Sequence, residues 1–471
     1  MSFEWKKYTI ADVSKKVITG KTPPGTLDKY FGGEVLFVTP TDMGDNKYIE
    51  LTQRTLSDEG EAKLAKQKFE CGIVVSCIGW QMGKAAIVRN TAVTNQQINT
   101  IIPNGDLIDV NFLYYTLSEK RTEIFNLGAT ATRTPILKKS LFERIEFHAP
   151  KLEQQKKIGN ILSSLDAKII SNKEINQTLE QMAQALFKSW FVDFEPVKAK
   201  IAVLEAGGSQ EDATLAAMTV ISGKGADTLP VFEREHPEQY AELKATAELF
   251  PSAMQDSEFG EIPGGWYQTL LSEFTDFLNG YAFKSKDWRE TGFPVVKIGS
   301  VKPSFVDLKN CSYIDGIGIK NLERFEVFPG DILVGMTGYP GETGIIPNTM
   351  QRVYLNQRVG KFIPLFEFLY SYIYTSVRND GFKIYVNGQA HGSAQANISG
   401  NDILQYPVVK PNDALLRAFD VIVRNLIRLK LKNQAQIQSL EQLRDTLLPK
   451  LLSGEITLPE VEQAVSEAEN V

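Results

Sequence analysis

The sequence predicts an α+β fold: two pseudo-twofold-related mixed α/β units separated by an antiparallel pair of long coiled-coil helices. Three observations lead there. An apolar seam at heptad spacing runs through residues 151–195. The same seam recurs 261 residues later, with a lone Asn at the matching place in each copy. The offset of 261 also extends through the segments before the two seams, so each repeat is one globular unit followed by one long helix.

Residues 1–150 form the first unit. Runs rich in β-branched residues at 35–38, 73–76, 85–88 and 98–102 predict strands. Apolar residues at helical spacing predict a helix over 111–125. The tip Gly79-Trp80-Gln81-Met82-Gly83-Lys84, between two strands, sets an aromatic ring, an amide and a cation among glycines. A loop of small and polar residues follows at 128–134.

Residues 151–195 form the first long helix. Ile158, Leu165, Asn172, Leu179 and Leu186 recur every seven residues, interleaved with Ile161, Lys168, Ile175 and Met182. About 40 helical residues rise on the order of 60 Å. Residues 196–260 are acidic and carry Gly207-Gly208-Ser209; they read as an extended connector with room for short helices.

Residues 261–410 repeat the first unit. Trp5 answers to Trp266, Ile18-Thr19-Gly20 to Leu278-Asn279-Gly280, and Gly79-Trp80 to Gly338-Tyr339. The run 72–76 answers to 330–334, Ile102-Pro103 to Ile363-Pro364, and Pro150 to Pro411. Small slips between these anchors mark loop insertions. A second small and polar loop stands at 388–395.

Residues 411–455 form the second long helix, with Phe419, Leu426, Asn433, Leu440 and Leu447 interleaved with Ile422, Leu429, Gln436 and Leu443. Residues 456–471 are an acidic tail. Asn172 and Asn433 are the midpoints of their seams. Antiparallel pairing lets the two amides meet and fix the register, where an unpaired buried amide costs roughly 1–3 kcal/mol. Leu165, Leu179, Leu426 and Leu440 flank them as the pairing residues.

The chain is 43% hydrophobic and 23% charged, the balance of a globular protein. No apolar run approaches the roughly 18–20 residues of a membrane span, and the polar opening is not a signal peptide. Cys71, Cys77 and Cys311 are odd in number and lack CxxC spacing, which fits reduced thiols in a cytoplasmic protein. The net charge of −6 is unevenly spread. By segment it is +2 over 1–150, 0 over 151–195, −6 over 196–260, 0 over 261–410 and −2 over 411–471. The two globular units are therefore near neutral.

Enzyme signatures are missing. Gly20-Lys21-Thr22 ends like a phosphate loop, but Lys15 stands where its first glycine belongs. GxGxxG opening a helix, GxSxG, HExxH and the Asp/Asn-Pro-Pro-aromatic run that grips an adenine for methylation are all absent. No catalytic residue and no metal ligand is expected.

Four stretches carry a family resemblance: 149–158 (APKLEQQKKI), 162–166 (LSSLD), 186–191 (LFKSWF) and 256–266 (DSEFGEIPGGW). With the duplicated architecture, they resemble the specificity subunit of type I restriction-modification systems. The second helix departs from the pattern, having Asn412-Asp413-Ala414-Leu415 in place of Leu-Glu-Gln-Gln.

The resemblance implies a non-catalytic reader of double-stranded DNA. Each globular unit is then a target recognition domain for one half of a split asymmetric sequence, and the helices set the unread spacer. It implies docking of two methyltransferase subunits and of restriction and translocase subunits. Those partners use S-adenosylmethionine, ATP and Mg, and this chain binds no cofactor. The candidate DNA contacts are Lys21, Trp80, Gln81, Lys84 and Arg133 in the first unit, with Tyr281, Lys284, Tyr339, His391 and Gln395 in the second. These residue types hydrogen-bond base edges and phosphates or stack. A two-headed coiled-coil adaptor for protein partners is the alternative that near-neutral units permit.

Overall fold

A computed structural model describes residues 5–24, 28–44, 46–129, 135–258, 260–390 and 396–456. The chain divides into two units, Met1–Ile170 with Gln436–Val471, and Ser171–Ala435. Each long helix thus contributes one half to each unit. No described helix is long and apolar enough to cross a membrane.

The first unit is built on a five-stranded sheet in the order Ser14–Thr19, Ile98–Pro103, Gly72–Ser76, Ala85–Val88 and Tyr48–Ile49. Its inner strands are covered on both faces, which is why they read as continuous apolar runs. The two-residue period sends Ile73, Val75, Ile87 and Ile101 to one core and Val74, Ala86 and Val88 to another. The first core is closed by Phe112 and Leu113 and by the helix residues Ile158, Leu162, Leu440 and Leu447. A three-stranded sheet of Thr55–Leu56, Phe31–Val38 and Ala92–Thr94 stands beside it.

The helix expected over 111–125 is two helices, Val110–Glu119 and Arg121–Gly128. Thr116 and Ser118 return hydrogen bonds to the carbonyls of Phe112 and Tyr114, 2.8 and 2.9 Å away. Such back-bonding competes with the helical ladder and bends it.

The second unit repeats the framework of the first with a different number of strands in its sheets. Lys6–Thr9 pairs Glu146–Ala149, and 261 residues on Tyr267–Leu270 pairs Pro407–Lys410 in the same register. The strands Ala92–Thr94 and Ile98–Pro103 return as Val353–Leu355 and Val359–Pro364. Here the central sheet has four strands, Thr275–Asn279, Val359–Pro364, Ile332–Gly335 and Thr343–Ile345.

The long helices are Leu152–Phe191 and Asp413–Ser453. Within each unit their segments run antiparallel. In the first, the start of one helix follows the strand paired with Lys6–Thr9, and Gly454, just past the end of the other, lies against Trp5. Asp166 and Arg444 then meet at 2.9 Å further along. In the second, Phe187 and Trp190 pack on Phe419, with ring centroids 6.4 and 5.5 Å apart, and Glu180 meets Lys430 at 2.5 Å.

The interleaved half of each expected seam is wrong by one residue. Lys168, Ile175 and Met182 are exposed and Ile161 is half-buried, whereas Leu162, Ile169, Asn176 and Ala183 are buried. In the second helix Ile422 and Leu429 are exposed and Gln436 and Leu443 half-buried, whereas Val423, Lys430 and Ile437 are buried. Of the positions read every seven residues, Leu165 and Leu440 are buried, and Leu179 and Leu426 half-buried. Asn172 is buried and Asn433 half-buried. At 182–183 and 429–430 the more apolar residue lies outside: Ala183 is buried in place of Met182, and Lys430 is buried with Glu180 as its partner in place of Leu429.

The acidic segment is not extended. It forms helices Glu195–Glu205, Gln210–Ser222, Leu229–Glu235 and Pro237–Glu248, the last three packing around Ala217, Met218, Leu229 and Ala247. Ser209 and Asp212 form a capping box, and Gly223 ends the same helix in the left-handed region. The buried Lys200 donates to the carbonyls of Ala247 and Phe250 at the close of the last helix, 3.1 and 2.7 Å away. The core of this insert is small, and its apolar residues are dispersed among carboxylates, which weakens the helical signal in the sequence.

Candidate nucleic-acid interface

In the first unit the strand ends Thr19, Ile98, Ser76 and Ala85 lie together through the pairs Thr19↔Asn99, Ser76↔Ile98 and Val75↔Ala85. The antiparallel sheet therefore brings the loops at 20–22, 95–97 and 77–84 to one edge. Lys21 is exposed there, its N–H donating to Thr94 at 2.8 Å. Trp80 is 85% exposed and stacks on Phe125 with centroids 6.2 Å apart. Gln81 is exposed beside it and Lys84 half-buried. The tip is backbone-locked: Gly79 donates to Pro135 at 2.9 Å and Gly83 to Ser76 at 2.8 Å. A Cβ on Gly83, whose φ is +83°, would come 2.7 Å from the Arg121 carbonyl.

The second unit reproduces this edge. Tyr281 donates its N–H to Leu355 at 2.8 Å, the counterpart of the bond from Lys21 to Thr94. Gly338 donates to Ala396 and Gly341 to Gly335, at 2.9 and 3.0 Å, and between them Tyr339 is 83% exposed. The Tyr281 ring is half-buried against Phe283 and Phe325, which makes it a packing group. Lys284 is exposed at the entry to the turn Ser285–Asp287. Arg133, His391 and Gln395 lie outside the described residues.

The structure thus assembles Lys21, Trp80, Gln81 and Lys84 at one edge and Tyr281 and Tyr339 at the equivalent edge. Two groups escaped the sequence reading. One is a short turn in each repeat, Asn95-Gln96-Gln97 and Asn356-Gln357-Arg358, at the same strand ends. Their offset of 261 was the available signal.

The other is a buried polar junction between each globular part and the helices. In the first unit Tyr115 donates to Asp166 at 2.5 Å, Asp166 pairs Arg444, and the buried Lys47 donates to Ser163 at 2.6 Å and Tyr115 at 3.3 Å. In the second, Tyr374 donates to Glu180, which also meets Arg378 at 2.8 Å and Lys430 at 2.5 Å. Both tyrosines precede a threonine, a match visible in the sequence only once the repeat is aligned.

Burial pushes Lys47 down to about 8, against the pull of Asp166. Burial and the neighbouring Arg378 likewise lower Lys430 to about 8. Burial would raise Glu180, but its two cations outweigh that and hold it at about 2. Glu180 is thus the fixed charge of its junction, and Lys430 is the group that loses its proton first. Among the described residues no cluster of His, Cys, Asp or Glu could hold a metal ion.

Residues 3–181 and 263–437 match the family model described as the type I restriction modification DNA specificity domain. The specificity subunit of the type I restriction enzyme HindI from Haemophilus influenzae is 30% identical over 469 residues, covering 96% of this chain and 100% of that protein. The MjaIX specificity subunit from Methanocaldococcus jannaschii is 24% identical, covering 97% and 95%. Among solved structures, a type I restriction-modification S subunit from M. genitalium shares the fold, with a TM-score of 0.50 at 15% identity, covering 95% of this chain and 96% of that one.

Proposed function

The chain belongs to the type I restriction-modification DNA specificity family, and on that premise we propose that it is a non-catalytic reader of a split, asymmetric DNA sequence. One observation carries the reading: both repeats gather an exposed ring and polar side chains at the same edge of the central sheet, on loops fixed by equivalent backbone bonds. Exposed aromatics with amides and cations suit stacking and base-edge hydrogen bonding.

Two related readers suit the dyad of duplex DNA. Their side chains differ, Trp80 against Tyr339 and Lys84 against Glu342, so the two halves of the target should differ too. In this reading methyltransferase subunits dock on the chain and supply S-adenosylmethionine and base flipping. Restriction and translocase subunits supply ATP-dependent, Mg-dependent cleavage. This chain itself holds no cofactor and acts in the cytoplasm.

The test is mobility of a genomic fragment library with the chain and purified methyltransferase subunit. A sequence-selective shift is expected. Uniform binding, or none, would overturn the reading, and protein capture with no DNA preference would favour the two-headed adaptor.

A further inference from the structure

We propose that the turns at 95–97 and 356–358 are the base-reading elements of the two repeats, with Asn95 and Asn356 as positioning residues. Gln97 against Arg358 then makes the second half-site the one that requires guanine. The inference rests on the DNA-reading function proposed above.

Each turn is held from several sides by the same contacts. Asn95 donates its N–H to Val38 at 3.0 Å, and Asn356 donates to Val296 at 3.1 Å. Their carbonyls accept from Ile98 at 3.2 Å and Val359 at 2.9 Å. Their side-chain Oδ1 atoms accept the N–H two residues on, from Gln97 at 3.0 Å and Arg358 at 3.4 Å. Such bonds fix a tight turn.

A glycine closes the remaining side. Cβ atoms on Gly20 and Gly280 would come 2.1 and 2.2 Å from the carbonyl oxygens of Asn95 and Asn356. Only glycine lets the neighbouring strand end approach that closely. The match of Gly20 with Gly280 in the repeat is explained by the turn each one buttresses.

What the turn presents is polar and outward. Gln96, Gln357 and Arg358 are exposed, while Gln97 is half-buried with its Oε1 accepting from Asn95 Nδ2 at 3.1 Å. Thr22 donates to Gln96 Oε1 at 2.5 Å and orients that amide. A glutamine carboxamide matches the N6 and N7 edge of adenine, and a guanidinium matches O6 and N7 of guanine. Four arginines of the second unit are held by carboxylates: Arg289 by Asp315, Arg352 by Glu326, Arg378 by Glu180 and Arg424 by Asp420. Arg358 makes no ion pair among the described residues.

The experiment maps methylated adenines in a host carrying the full chain with its methyltransferase subunits. Wild type, Arg358→Gln, Gln97→Arg and Asn356→Ala are compared, with melting temperatures of each purified chain. Arg358→Gln should reduce discrimination at one position of one half-site by tenfold or more, leaving the other half unchanged. Gln97→Arg should alter only the other half. Asn356→Ala should weaken the same half as Arg358→Gln; if it lowers the melting temperature, Arg358→Gln decides, being a change at an exposed side chain. A selective wild type whose Arg358→Gln and Gln97→Arg variants melt normally and keep the same motif would overturn the assignment of the turns. A wild type without any sequence preference would instead overturn the function it rests on.

Discussion

Lys47 shows how a single side chain ties the reading domain to its helix. It is 3% exposed, sits 4.5 Å from the centre of the Tyr115 ring, and donates to Ser163 on the first helix. Burial favours loss of the ammonium proton, no carboxylate among the described residues being in direct contact, and lowers Lys47 to about 8 where an unfolded lysine titrates at about 10.4. Between those values the unfolded chain holds more protons than the folded one, so stability rises with pH across that window. Below about 8 the cost of burying the cation is fully present. The melting temperature of the wild type should therefore climb from pH 7.5 to 9.5. Lys47→Met should flatten part of that climb, and an equal climb in the variant would show that the proton leaves another group. None of this was legible beforehand, because Lys47 stands in an ordinary polar loop sequence, Asp45-Asn46-Lys47.

The helices separate what periodicity can tell from what it cannot. The seven-residue repeat correctly placed Leu165 and Leu440 in the core, since burial of one residue per two turns follows from helix geometry alone. It could not choose between adjacent positions for the interleaved row. There the apolar residues Ile175 and Met182 are 45% and 48% exposed, while Ala183 is 1% exposed. Met182→Ala should change stability within about 0.5 kcal/mol, as exposed substitutions do. Ala183→Leu should cost about 1–3 kcal/mol, because added methylenes have no space beside Phe187 and Trp190. Denaturant unfolding of the two variants measures this, and the reverse order would restore the row as first read. The repeat itself was legible down to strand boundaries, since the offset of 261 carries Ile98–Pro103 onto Val359–Pro364. The helical insert was not, for its few apolar residues stand among carboxylates and glycines that mask the helical spacing. The recognition edge was half legible: rings between glycines stood out, whereas the turns at 95–97 and 356–358 drew no notice until strand pairing brought them beside those rings.

Charge decides how the whole molecule meets DNA. Both globular parts are near neutral in sequence, and the net charge of −6 lies in the insert and tail. On the proposed reading, the cations at the two edges that could meet phosphates are Lys21, Lys284 and Arg358, which are exposed, and Lys84, which is half-buried. Each neutralised phosphate contributes about −0.9 to the slope of log affinity against log salt. About four contacts then give a slope of about −4 or shallower for the chain by itself, and the carboxylates of the insert repel the duplex further. Tight binding at physiological salt therefore needs cations from elsewhere, and the assembled complex is where they can enter. Titrating one DNA fragment across a salt series, with the chain alone and with the methyltransferase subunits proposed to dock on it, should give a markedly steeper slope for the complex. A slope near −8 for the chain alone would require roughly nine phosphate contacts. Affinity would then originate in this polypeptide, and the division of labour between a neutral reader and cationic partners would fall.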